Sequence, residues 1–200
     1  MKKRIMSFFA TALILSFVLC SCTGRKNERY VAVEVEGSGV FVVELMSEYA
    51  PKTVDNFVSL AEKGFYDGLI FHRVIPGFVV QTGDPTGTGM GGSKKTIKGE
   101  FASNGYKKNT LKHERGVVSM ARAEDPDSAS SHFFVCLGNA SELDGDYAAF
   151  GKVVYGMEVV DKIGEAVTDK NDKPIEDIVI KSAKLISEKE FKKYEEGEVK

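Results

Sequence analysis

Phe71-His-Arg-Val-Ile-Pro-Gly-Phe-Val-Val-Gln-Thr-Gly-Asp84 is an apolar run broken by a histidine, an arginine and a glutamine. Strand interiors exclude such groups, because a buried guanidinium without a partner leaves water and recovers none of its hydrogen bonds. Arg73 and Gln81 therefore face either solvent or a groove that uses them. The Pro76-Gly77 pair splits the run into two short strands, expected near 69–74 and 78–82. Phe78, Val79 and Gln81 follow the break. A second stretch, Ser119-Met-Ala-Arg-Ala-Glu-Asp-Pro-Asp-Ser-Ala-Ser-Ser-His-Phe-Phe-Val-Cys-Leu-Gly138, mixes polar and aromatic residues in the same way. An apolar floor with a few polar groups is the composition of a peptide or small-ligand groove.

Outward from this stretch the chain alternates. Tyr30 to Gly37 and Val40 to Leu45 read as a hairpin around Gly37-Ser-Gly39. Residues 51–63 follow helical spacing: Pro51 suits the first turn, Val54, Phe57, Val58 and Ala61 form one face, and Gly64 stops it. Residues 83–114 read as a long loop rich in Gly, Lys and Asn, and long ordered loops in compact domains are often functional. Strands are expected at 116–121, 132–138, from Tyr147, and at 177–186, with a short helix at 157–163. The charged segment 188–200 frays or forms a surface helix. About eight short strands and two helices, with no βαβ rhythm, predict a mainly β fold. A closed eight-stranded antiparallel barrel capped by two α-helices is expected, because closure removes sheet edges.

The 200 residues suffice for one domain with a real core. The formal charge of −2 provides no basic field for nucleic acid, so no nucleic-acid partner is expected. The first residues are distinct. Lys2, Lys3 and Arg4 precede an uncharged run from Ile5 to Leu19, about fifteen residues, short of the roughly 20 that span a bilayer. A positive start, a short apolar stretch and small residues form an export signal. Leu19-Cys-Ser-Cys22 resembles a bacterial lipobox, which implies cleavage after residue 21, lipid on Cys22 and a polar tether over 22–29. Cys20 fits worse as acceptor, with bulky Leu19 before it. Cys136, within an apolar run, reads as a small core hydrophobe.

Several motifs lead nowhere. Gly87-Thr-Gly-Met-Gly-Gly92 matches GxGxxG, but no helix follows it; the glycines read as tight turns beside a groove. His72, His113 and His132 lack partners at metal spacing, so no metal or cofactor is expected. Asp169-Lys-Asn-Asp-Lys173 lacks the glycine and glutamate of a calcium loop. A hydrolase using Ser119 or Cys136 lacks an evident base and a nucleophile turn.

The long segments Phe71–Ser93, Leu111–Ala121, Ser130–Gly145 and Ala148–Ile163, in this order, resemble the signatures of the cyclophilin-type peptidyl-prolyl isomerases. The resemblance spans roughly residues 30–187, and the short stretch after the first helix resembles the compact bacterial branch. It implies an isomerase of X–Pro bonds acting on proline-containing polypeptides. Arg73 stands at the family's catalytic arginine, with Gln81 binding substrate backbone or positioning Arg73. Phe78, Val79, Phe134 and Leu143 would form the proline pocket. Ala121 and the main chain of Arg122 would hold the residues before proline, with His132 and Tyr147 on the walls. Glu142 stands where many members carry tryptophan, which weakens any expected binding of cyclosporin. The leader implies a lipid anchor in a bacterial envelope, facing the periplasm. The competing expectation is a proline-peptide binding module or chaperone without catalysis.

Overall fold

The computed structural model describes residues 30–199. The export signal, the tether and Cys22 lie outside the described residues. Strands β1 (Tyr30–Val35) and β2 (Gly39–Leu45) form the expected hairpin, in register from Tyr30↔Glu44 to Val35↔Gly39. Helix α1 (Pro51–Glu62) buries Val54, Phe57, Val58 and Ala61. It ends where Gly64 turns left-handed at φ 64°, so that the Gly64 and Phe65 N–H groups bond back to Ala61 and Leu60.

Next come β3 (Arg73–Ile75), β4 (Val79–Thr82), β5 (Val117–Met120), β6 (Phe133–Cys136) and β7 (Ala148–Tyr155). Helix α2 (Met157–Gly164), β8 (Ile180–Ile186) and helix α3 (Glu188–Glu195) follow. The eight strands form one sheet in the order β3-β4-β6-β5-β7-β2-β1-β8, and every pairing is antiparallel.

Two expectations need correction. The sheet is an open half-barrel, not a closed barrel. Its end strands β3 and β8 share no ladder; an isolated bridge, Ile70↔Val179, and the bonds Phe71 N–H to Ile178 O and Ile180 N–H to Leu69 O span the gap. The reason is length: β3 keeps only three residues before the Pro76-Gly77 turn, and residues 69–72, expected as strand, are irregular apart from that bridge. The second correction is to the helix count: of the two alternatives for 188–200 the segment takes the surface helix, which makes three helices rather than two. Ser187 accepts from the Glu190 N–H while the Glu190 carboxylate accepts from the Ser187 N–H, a capping box that starts α3. Phe191 then packs on Ala32 and Val42 and stacks on Tyr30 at 4.4 Å.

The curved sheet encloses an apolar core. Phe41, Phe57, Tyr66, Phe71, Phe133 and Phe150 fill it, with α1 and α2 contributing Phe57 and Ile163. That packing fixes the sheet, so the outer faces of β4 and β6 can carry something other than core.

Candidate active site

Alternation along β4 and β6 divides their side chains between two clusters. Val80, Phe133 and Val135 point into the barrel core. Val79, Phe134 and Cys136 point out and form a separate cluster with Ala140, flanked by Phe78, Ala121, Leu143 and Tyr147. This second cluster floors a groove of about 430 Å³. Arg73, Phe78, Val79, Gln81, Ala121, Arg122, Phe134, Leu143 and Tyr147 all line it. His132 alone of the expected site residues lies in an adjoining pocket, which shares Gln81, Ala121 and Arg122 with the groove. A larger concavity, about 770 Å³, lies between α1 and residues 93–98. Five lysines rim it and none of the expected site residues lines it, so the smaller groove, with its separate apolar floor, is the better candidate for chemistry.

Arg73 and Gln81 sit opposite one another on the β3–β4 pair. Their side chains go to different partners. Gln81 Nε2 lies 3.3 Å from His72 Nε2, where a neutral imidazole accepts from the amide. The Arg73 side chain is 43% exposed, and its Nε lies 3.7 Å from a carboxylate oxygen of Asp172. Gln81 and Arg73 therefore do not hold each other.

A family model described as "Cyclophilin type peptidyl-prolyl cis-trans isomerase/CLD" matches residues 30–185. The chain belongs to the cyclophilin family. Peptidyl-prolyl cis-trans isomerase-like 1 of Aspergillus fumigatus is 46% identical over 151 residues, covering 75% of this chain and 91% of that protein. Peptidyl-prolyl cis-trans isomerase ppi1 of Schizosaccharomyces pombe is 45% identical over 155 residues, covering 76% and 98%. A Cryptosporidium parvum cyclophilin-type isomerase, crystallised in the presence of the dipeptide Ala-Pro, aligns with a TM-score of 0.72 at 36% identity, covering 79% of this chain and 99% of that one. The chain is thus an isomerase of X–Pro bonds.

The walls of the cyclophilin groove are braced by side chains that were expected to act separately. The Arg122 guanidinium stacks over Tyr147 at 4.8 Å and over Phe101 at 5.3 Å. Its Nε donates to Asp146 O, and Nη1 donates to Ala123 O and Glu124 O. Arg122 thus ties the segment after β5 to the Tyr147 wall, beyond the main-chain role expected of it. Glu142 is exposed in the short turn Ser141–Leu143 and does not line the groove.

The glycine-rich loop performs the task expected of it. Buried Asp84 accepts from the N–H groups of Thr86 (2.8 Å), Thr88 (3.0 Å) and Gly89. Burial pushes the Asp84 carboxyl up, but hydrogen bonds from the Thr86 N–H and hydroxyl and from the Gly91 and Gly89 N–H groups outweigh it and hold it well below the usual range. A Cβ on Gly91 would collide with Asp84 Oδ1, so the loop closes tightly only around glycine. Thr88 and Gly89 thereby reach the groove.

Among the described residues no group of three His, Cys, Asp or Glu side chains gathers at metal distance. Cys136 is fully buried, and burial pushes its thiol up to about 12, so it does not form a thiolate. Ser119 corrects an expectation. It does have a base: His113 Nε2 lies 3.0 Å from Ser119 Oγ, and Asp144 Oδ1 lies 3.0 Å from His113 Nδ1. The order matches a hydrolase triad, but Ser119 and His113 are completely buried, and no substrate carbonyl can reach the hydroxyl. The chain of bonds instead supports the floor, with the His113 ring stacked on Phe134 at 6.1 Å.

Local spacing did not disclose His72, Thr88, Gly89 or Asn171 as groove residues. Asn171 arrives from the segment dismissed as a faint calcium loop.

Proposed function

We propose that this cyclophilin accelerates X–Pro rotation with Arg73 as its transition-state donor. The observation that supports it most is one juxtaposition. A half-exposed guanidinium stands at the edge of a groove whose floor is Val79 and Phe134. The X–Pro barrier of roughly 18–20 kcal/mol is lost amide resonance. As the bond twists, the prolyl nitrogen pyramidalises and regains a lone pair. Arg73 donates to that nitrogen, which barely accepts when planar, so the interaction strengthens in the transition state. Phe78, Val79, Phe134 and Leu143 grip the ring while the preceding carbonyl turns. Gln81, Ala121 and the Arg122 main chain hold the substrate backbone, with Tyr147 and His132 at the walls. Arginine suits the task because it stays charged and presents a planar fork of donors.

The test is isomerisation of a proline peptide followed by exchange between its cis and trans signals. Arg73→Ala lowers kcat/KM by about 2–4 kcal/mol equivalent, the size of one lost oxyanion donor. Wild-type turnover in a folded Arg73→Ala protein sinks the mechanism. Peptide binding without exchange in the parent protein returns the reading to a binding module.

The leader supports a place for this activity: the bacterial envelope, facing the periplasm, anchored by lipid on Cys22, with exported proteins as clients whose slow prolyl steps limit folding. The relatives named above are eukaryotic, so this placement rests on the leader alone. A Cys22→Ala protein that stays in the membrane fraction with unchanged processing overturns the anchor. Cyclosporin binding is weakened by Glu142, which offers no indole.

A further inference from the structure

Arg73 needs a holder, and the fold supplies one from far along the chain. Residues 168–174 form a loop whose ends are joined by the bridge Thr168↔Pro174. Asp169 builds it: its carboxylate accepts from the N–H groups of Asn171 (2.8 Å) and Lys173 (3.0 Å). Asp172 follows with φ 63°, the one non-glycine residue at positive φ among the described residues. That conformation puts the Asp172 carbonyl 2.7 Å from the Val74 N–H, the amide next to Arg73. The same residue's carboxylate lies 3.7 Å from Arg73 Nε. Asp172 therefore meets β3 twice, by main chain at Val74 and by side chain at Arg73. The terminal nitrogens of Arg73 have no protein partner among the described residues and remain available to the groove.

We propose that Asp172 is a positioning residue for Arg73, restraining the guanidinium through Nε so that its terminal nitrogens meet the prolyl nitrogen. The inference rests on the reading of Arg73 as transition-state donor. A long, half-exposed arginine samples many rotamers, and the donor must be in place when the bond twists. A carboxylate on Nε narrows that sampling before substrate arrives. The same negative charge also dampens the field of Arg73. The two effects have opposite signs, so a measurement separates them.

The experiment determines kcat and KM by peptide exchange at low salt for the wild type, Asp172→Asn, Asp172→Gly, Arg73→Ala and Asp172→Asn/Arg73→Ala. Asn and Gly both accept left-handed φ, so each keeps the bond to Val74 and loses only the carboxylate. The expected result is a kcat about two- to five-fold lower in both single variants, the rate equivalent of an exposed ion pair, with KM unchanged. Asp172→Asn causes no further loss once Arg73 is alanine. Added salt slows the wild type toward the variants and leaves the variants unaffected. An unchanged or raised kcat, a change confined to KM, or an equal loss in the Arg73→Ala background overturns the proposal. If Arg73→Ala loses activity while Asp172→Asn does not, only the role of Asp172 falls. If Arg73→Ala keeps full turnover, both readings fall together.

Discussion

His72 lines the groove from a buried position, with Gln81 as the hydrogen-bond partner of its ring and the His132 ring 5.0 Å away. Burial, and then the neighbouring His132 ring, push it down from 6.5 to about 4. In the unfolded chain the imidazole takes its proton near 6.5, while the folded protein refuses it until about 4. The unfolded state binds more protons across that window, so stability is complete above it and falls as pH drops from about 6.5 toward 4. His113 and His132, also lowered by burial, act in the same direction. Urea midpoints measured against pH should therefore decline below about 6.5, and His72→Gln should flatten part of that slope. At this scale the sequence was uneven. Arg73 and Gln81 were legible as groove residues, because polar groups inside an apolar strand need a reason. Asp172 was not, because its link to Arg73 depends on a long-range approach that no local spacing records. His72, for which the sequence offered no partner at metal spacing, touches the amide of Gln81.

Helix α1 has no cap of its own: Ala50 precedes it and offers no side-chain acceptor. The cap comes from the long loop. Buried Glu100 accepts from the N–H groups of Lys52 (3.1 Å) and Thr53 (2.8 Å) and from the Thr53 hydroxyl (2.9 Å). A carboxylate at a helix N-terminus also complements the helix dipole. Glu100→Ala should cost about 2–3 kcal/mol in urea unfolding, because it strips charge-assisted bonds and leaves buried donors unpaired. Ser187→Ala should cost about 1 kcal/mol or less by the same measurement, since it removes an exposed cap from α3. The sequence left α3 as one of two alternatives for a charged segment, and the capping pattern Ser187-x-x-Glu190 is the signal that decides for the helix. Glu100 carried no such signal, because a cap donated across the fold is a tertiary fact.

The whole molecule is a curved sheet whose two ends approach without forming a ladder. Antiparallel order and eight strands could be argued from alternation and the absence of crossover helices. The gap could not, because strand length at β3 is set by packing and by the turn after it. The seam has few bonds to break, so deuterium uptake at Phe71 and Ile180 should precede uptake at Val33 and Phe41, which lie within the continuous β8-β1-β2 ladder. A different consequence follows from the way β4 and β6 share their residues between core and groove. Only the parity of a position separates the residues that fill the core from those that floor the groove. Substitutions at Val79 or Phe134 can retune what the groove accepts while Val80 and Val135 keep the barrel filled. A one-residue deletion in either strand exchanges the two sets and destroys both at once. The make-up of this surface is thus open to drift by replacement and closed to drift by insertion or deletion.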